Sequence, residues 1–200
     1  MKWTVYLIRH GKTEGNLRRA YIGVTDQPLC EAGKQELAWW SGRLPRPDAL
    51  WCSPLLRCRQ TAQILYPAMD AQICQKLREC DFGAFEGKNY EQLKGHPAYQ
   101  RWLDSGGTIP FPGGEDPMAF RVRSVSAFQA IVRQATQQHP GGTLAIVCHG
   151  GTIMAVLESL VAPHEFYRWQ VPNAGGYRFS YDAETGQAAE IVKFTPGGGR

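Results

Sequence analysis

Arg9-His10-Gly11 stands directly behind an apolar run, Thr4 to Ile8. That pattern predicts a buried strand delivering a histidine into a loop. Neutral imidazole is a good nucleophile near neutral pH, and a covalent intermediate divides one hard step into two easier ones. Gly11 would let the backbone come close to an anion such as a phosphate, and Arg9 would offer that anion a planar fork of donors. Alone, the triplet reads equally as a surface histidine at a strand end. In Ser53-Pro54-Leu55-Leu56-Arg57-Cys58-Arg59-Gln60-Thr61-Ala62, Ser53 reads as an N-cap and Pro54 as the first helical position. Arg57 then falls in the first turns of a helix, where anions bind, although a lone helix arginine is usually just exposed. Val147-Cys148-His149-Gly150-Gly151 is a second strand-end histidine opening a helix. In Leu77-Arg78-Glu79-Cys80-Asp81-Phe82-Gly83 a carboxylate leaves a strand beside apolar residues. Partial burial would raise its pKa, as an acid catalyst needs, while an isolated glutamate is commonly solvated surface.

The elements that position these residues alternate between strand and helix. The spacing predicts strands at Thr4–Ile8, Ala49–Cys52, Ile73–Leu77 and Thr143–Cys148, and a closing hairpin of Tyr177–Tyr181 and Ala189–Phe194 around Asp182 to Gly186. Helices are expected over Glu31–Leu44, ended by Pro45 and Pro47, from Ser53 to about Leu65, over Pro117–Gln138, and from His149 to about Leu160. From about Cys80 to Glu115, glycine, proline and aromatic residues dominate, which reads as a cap-like insertion over one end of the sheet within a single domain of 1–200. Gly197 to Arg200 reads as a frayed tail. The alternation argues for an α/β three-layer sandwich, a mostly parallel sheet with helices on both faces. Ligands in such folds sit beyond the carboxyl ends of the strands, where His10 and His149 fall.

The bulk numbers narrow the possibilities. A chain of 200 residues buries about 70% of its unfolded surface and needs no disulfide or metal staple. Its net charge of +4, from 22 basic and 18 acidic residues, is dispersed, with no basic run that would argue for nucleic acid. The first residues lead straight into a strand-like run and lack the apolar core and small-residue cleavage site of a signal peptide. With no apolar stretch of the roughly 20 residues a membrane span needs, the expected place is the cytoplasm. The 6 cysteines form no C-x-x-C pair and are expected as free thiols in a reducing compartment, and none of the histidines stands at zinc-ligand spacing from them. Trp39-Trp40 reads as core or surface of a helix, whereas Trp102, inside the insertion, is placed to line a pocket.

Together the short runs are far more specific than any one of them. They follow the order R-H-G, S-P-L-x-R-x-x-Q-T-A, L-R-E-x-x-F-G-x-x-E-G and C-H-G-G. This order resembles the histidine phosphatase superfamily, also called phosphoglycerate mutase-like, across nearly the whole chain from Val5 to about Val192. The resemblance implies His10 as the phosphorylated nucleophile, Arg9, Arg57 and His149 as the phosphate pocket, and Glu79 as the proton donor. It also implies Asn16 as an extra phosphate contact and Thr25, in the T-D-x-P-L loop of Thr25 to Leu29, as a substrate-side residue with Gly11 and Gly150. No cofactor or metal is expected.

Within the superfamily, Glu79 to Tyr90 and Pro112-Gly113-Gly114-Glu115 look most like α-ribazole phosphatases, which act in assembly of the cobalamin nucleotide loop. The expected partner is a small phosphate monoester, α-ribazole 5′-phosphate or adenosylcobalamin 5′-phosphate. Three alternatives stay open: a broad-specificity phosphatase, a cofactor-dependent phosphoglycerate mutase, and a regulatory binding module on the same fold. The oligomeric state stays open as well. Two positions depart from the family pattern, Cys30 where a threonine caps the next helix and Asp116 where serine is frequent, and aspartate caps equally well.

Overall fold

The computed structural model describes residues 1–161 and 163–196, so the tail at 197–200 lies outside the described residues. A six-stranded sheet runs through the molecule in the order β3-β2-β4-β1-β5-β6. Its strands are β1 (Lys2–Arg9), β2 (Ala49–Cys52), β3 (Gln72–Ile73), β4 (Gly142–Cys148), β5 (Gly176–Asp182) and β6 (Ala188–Phe194). The first four pair in parallel, and the β5–β6 hairpin is added antiparallel beside β1.

Strand alternation explains the two helix layers. Trp3, Val5 and Leu7 of β1, with Leu144 and Ile146 of β4, face one core, shared with α6 (Pro117–Gln138) and α7 (Gly150–Val161). Ile8, Leu50, Ala145 and Val147 face the other, against α2 (Glu31–Trp40) and α3 (Leu56–Leu65). With period 2, a central strand buried on both sides must be apolar at nearly every position, which is the burial of β4 from Leu144 to Cys148. A short helix, α1 (Glu14–Leu17), follows β1 and is closed by a capping box between Thr13 and Asn16.

Several expected boundaries shift for local reasons. The helix expected from Ser53 starts at Leu56. Ser53 Oγ is taken up by His149 Nε2 at 2.7 Å, and Asp26 Oδ1 instead accepts the Leu56 N–H at 2.7 Å. The strand expected over Ile73–Leu77 is two residues long, and Gln75–Leu77 turns as a 3₁₀ helix that drops Leu77 into the core. The first long helix stops at Trp40, before Gly42 in a left-handed turn. Cys30 makes no side-chain cap, as its type implies, whereas Asp116 Oδ1 accepts from the N–H groups of Met118 and Ala119 at 2.8 and 2.9 Å. Trp40 is buried, and Trp39 lies at the surface under Arg43.

The segment from Cys80 to Glu115 holds a 3₁₀ turn, Gly83–Phe85, and two short helices, α4 (Tyr90–Leu93) and α5 (Pro97–Asp104). It has a small core of its own, in which Phe85, Leu93, Tyr99 and Phe111 pack with Phe120 of α6. The two ends of the segment meet. Glu115 N–H donates to the Asp81 carbonyl at 2.9 Å, and Asp81 N–H donates back to Glu115 Oε2 at 3.4 Å. Arg123 of α6 holds Glu115 with Nε and Nη2 at 2.9 and 2.7 Å, and gives Nη1 to the Lys76 and Arg78 carbonyls at 2.7 and 2.9 Å.

Candidate active site

The register of β1 against β4 brings the two histidines together. Arg9 pairs with Cys148, so both chains leave the sheet at the same level. His10 N–H then bonds the Cys148 carbonyl at 3.0 Å, and the rings of His10 and His149 lie 5.2 Å apart between centroids. His10 Nδ1 is 2.7 Å from the Gly11 carbonyl, an acceptor, so Nδ1 carries the ring proton and Nε2 is unprotonated, with a lone pair. Arg57 Nε donates to that lone pair at 3.2 Å. Burial, and after it the charges of Arg57 and Arg9, hold His10 well below the usual histidine range, so its ring is neutral at neutral pH.

Arg57 is fully buried near the start of α3, and its fork is divided among fixed acceptors. It donates Nη2 to the Gly23 carbonyl at 2.7 Å and Nη1 to the Thr25 carbonyl at 3.0 Å. Nη2 also stands 3.3 Å from His149 Nδ1. A guanidinium only donates, so Nδ1 of His149 accepts and its Nε2–H donates to Ser53 Oγ. His149 is neutral here: burial, then Arg57, His10 and Arg9, push its pKa well below the ordinary value.

Glu79 follows the 3₁₀ turn and is 7% exposed. Its Oε1 accepts from its neighbour Cys80 N–H at 3.0 Å and its Oε2 from Gly151 N–H at 3.2 Å. Burial raises its pKa and outweighs these hydrogen bonds and the charges of Arg57 and Arg9, which work the other way. Gly151 has to be glycine, since a Cβ there would stand 2.6 Å from Glu79 Oε1. Asn16 Oδ1 accepts from Thr13 N–H at 3.1 Å and from Asn173 Nδ2 at 3.2 Å, which leaves the Asn16 amide nitrogen outside that turn.

Arg9, His10, Asn16, Glu79, Gly150 and Gly151 all line one cavity of about 690 Å³. Arg57 and His149 stand behind His10, fully buried. Two expected substrate contacts are elsewhere. Gly11 is packed against Leu37, where a Cβ would come within 2.6 Å of Cδ1, and its N–H is given to Thr61 Oγ1 at 3.0 Å. Its small size serves packing, not approach to a ligand. Thr25 is exposed, with its hydroxyl on Glu86 Oε2 at 2.6 Å, and it touches the site only through the carbonyl that holds Arg57. Trp102 does line the cavity.

Asn173 is the main residue that motif reasoning misses. It is 8% exposed, and its Nδ2 bonds the His10 carbonyl at 3.1 Å as well as Asn16 Oδ1. Its neighbour Ala174, in the left-handed region at φ 58°, also donates its N–H to the His10 carbonyl, at 3.1 Å. The same loop supplies the Gly175 carbonyl to Arg9 N–H at 2.8 Å and the Val171 carbonyl to Arg9 Nη1 at 2.6 Å. Among the described residues no group of three or more His, Cys, Asp or Glu gathers as metal ligands.

Residues 5–193 match the family description of the histidine phosphatase superfamily, branch 1. The chain belongs to the histidine phosphatase superfamily. Similar members of the superfamily carry different activities in their names. A probable phosphoglycerate mutase GpmB of Photorhabdus laumondii is 28% identical over 96% of this chain and 92% of its own. A putative phosphoserine phosphatase 2 of Hydrogenobacter thermophilus is 28% identical over 76% of each chain. In fold, a putative alpha-ribazole-5′-P phosphatase from Escherichia coli superposes with a TM-score of 0.83 over 96% of both chains at 23% identity. Histidine phosphatase chemistry, phosphatase or mutase, is therefore the activity class of this protein, and no helix among its described residues is long and apolar enough to cross a membrane.

Proposed function

We propose that the protein is a phosphomonoesterase that moves a phosphoryl group from its substrate to His10 Nε2 and then to water. The observation that carries this reading is the state of His10: Nδ1–H is spent on the Gly11 carbonyl, and the neutral ring, with Arg57 Nε–H on Nε2, lines the same cavity as Glu79. In the first step the Nε2 lone pair forms the N–P bond as the P–O bond to the leaving alcohol breaks. Phosphoryl transfer needs mainly positioning and charge stabilisation, which Arg9, Arg57 and the Asn16 amide supply. The Arg57 Nε–H now given to His10 Nε2 passes to a phosphoryl oxygen once that lone pair is used. Glu79, its carboxyl pKa raised, gives its proton to the departing alkoxide and takes one from the attacking water as the N–P bond is cleaved.

For the substrate we propose α-ribazole 5′-phosphate or its adenosylcobalamin 5′-phosphate counterpart. The support is the Glu79–Tyr90 and Pro112–Glu115 stretches, the compact insertion, and a cavity far larger than a phosphate. A mutase would return the phosphoryl group to an organic acceptor, and the names of the relatives keep it as the second reading. The six cysteines are free, which suits a cytoplasmic setting. The test is a turnover screen of phosphate monoesters with and without EDTA. The expected ranking puts α-ribazole 5′-phosphate above 3-phosphoglycerate in kcat/KM, with EDTA changing neither. Faster phosphoryl exchange between 2,3-bisphosphoglycerate and 3-phosphoglycerate would assign a mutase, and a loss restored by magnesium or zinc would overturn the metal-free route.

A further inference from the structure

Away from its phosphate-binding floor, the cavity is walled by rings. Tyr21, Phe82, Trp102 and Phe111 line it from the insertion side, and Phe120, Phe166 and Tyr167 complete the wall. Trp102 is held by its neighbours, stacked on Tyr99 at 6.1 Å and 13°, tilted on Phe111 at 5.2 Å, and edge-on to Tyr21 at 6.1 Å. Such a wall is pre-organised for a flat partner, because no side chain must be ordered when it binds. Gly107, in the left-handed region at φ +74°, lies where Trp102 and Tyr167 converge. A Cβ there would come within 2.7 Å of Tyr167 Oη and 3.1 Å of Trp102 Cζ2.

Of the cations of this upper wall, one is neutralised by a carboxylate and the other stands at the exposed rim. Arg121 is ion-paired to Glu158 at 3.3 Å, with its guanidinium 4.1 Å from the Phe166 centroid, and Lys193 Nζ donates to the Gln170 carbonyl at 2.7 Å. A carboxylate on the leaving group, as in phosphoserine or phosphoglycerate, would give up its hydration against the negative faces of these rings, with an arginine already shared with Glu158 as its nearest buried cation. We propose that the upper cavity is a slot for a flat, uncharged ring on the leaving alcohol, that Trp102 and Gly107 set its selectivity, and that esters carrying a carboxylate are disfavoured. The inference rests on the phosphatase reading for its kinetic test, but not for its binding test.

The experiment compares alkyl esters of similar intrinsic reactivity, 2-(2-naphthyl)ethyl phosphate against O-phosphoserine and 3-phosphoglycerate, in the wild type, Gly107→Val and Trp102→Leu. A well-fitted apolar contact discriminates by about 10- to 200-fold. The naphthyl ester is expected to lead by at least about tenfold in kcat/KM, and both variants to cut that ratio by about tenfold. Because valine is strained at a positive φ, circular dichroism and thermal melting first confirm that Gly107→Val is folded, and Trp102→Leu serves if it is not. Binding of 2-(2-naphthyl)ethanol, followed by tryptophan fluorescence, needs no turnover. Binding without turnover of any ester would keep the slot and overturn the phosphatase reading. No binding, a lead for the carboxylate esters, or an unchanged ratio in the folded variants would overturn the slot while any ester turnover keeps the phosphatase.

Discussion

The floor and the upper wall of the cavity are built on opposite plans. The floor is polar, and nearly every group in it is fixed by hydrogen bonds to a sheet end or to a loop gripping one: His10 by the Cys148, Gly11 and Ala174 backbones, Arg57 by Gly23 and Thr25, Glu79 by Cys80 and Gly151. The upper wall is aromatic and held by packing, with most of its rings carried on the insertion and the Phe166–Trp169 turn. A hydrogen-bonded floor tolerates almost no change in residue type, because a changed side chain leaves buried donors or acceptors unpaired. A packed wall tolerates substitutions of similar size at modest cost. The difference sets the polar groups proposed for bond-making apart from the rings proposed for selection.

Substitutions in the floor should therefore damage every substrate, and the largest effect is expected at His10. On the proposed mechanism His10→Ala removes the phosphoryl acceptor, so turnover of all esters is expected to vanish, and phosphohistidine trapped from the wild type without acid should be absent from the variant. Full activity in His10→Ala would break the comparison at its root. Glu79→Gln is next. General acid catalysis contributes about 10²–10⁴-fold, so the pre-steady-state burst with an alkyl phosphate should slow by that order, and the burst with p-nitrophenyl phosphate, whose leaving group needs no proton, much less. The sign of the pH dependence follows. The alkyl burst needs protonated Glu79 and falls as pH rises through a pKa lifted above the ordinary carboxylate range. It holds on the acid side until His10 takes up a proton, well below 6.5. Equal slowing of both bursts in Glu79→Gln would remove Glu79 as the acid.

The smallest of these effects sharpens the comparison, because Asn173 is part of the floor without being at the reacting atoms. In Asn173→Asp a carboxylate oxygen would face the His10 carbonyl and Asn16 Oδ1 where an N–H₂ now donates. A misplacement of about 1 Å in a reacting group costs up to about 10²-fold, and a loss of 10- to 100-fold in kcat/KM is expected for all substrates alike. Stopped-flow kinetics, with melting temperature as the control for folding, gives the answer. A loss confined to one class of ester would mean that Asn173 acts on the leaving group and not on the nucleophile.

How much of this could be read beforehand depends on how far apart the partners are in the chain. His10 and His149 stand at strand ends and Arg57 at a helix start, where local pattern marks them, and Glu79 follows a 3₁₀ turn in a run that reads as a strand exit. The sheet was legible for the same reason, since continuous apolar runs bounded by glycine and proline mark buried strands. Asn173 was not legible, because its partner lies 163 positions away and nothing in Val171-Pro172-Asn173-Ala174 signals that pairing. Ser53 was misread as a cap because local rules see the helix that follows it and not His149, 96 positions on. Thr25 and Gly11 lay in the right runs, but their contacts with Glu86 and Leu37 turn them from ligand contacts into supports. The charge of His149 could not be read from its type, because burial sets it.

The tie between Asp81 and Glu115 has a consequence for how such a protein changes over generations. A segment whose two ends are hydrogen-bonded to each other, and stapled by Arg123 to the long helix, is a closed excursion from the sheet. Lengthening such an excursion costs only the logarithm of its length in closure entropy. Apart from Glu86, which holds the Gly23–Thr25 loop behind Arg57, residues between the tied ends can be lost, gained or exchanged without moving Glu79, which sits just outside the knot. New selectivity can thus be acquired by drift in one stretch of chain while the phosphoryl-transfer apparatus is inherited intact.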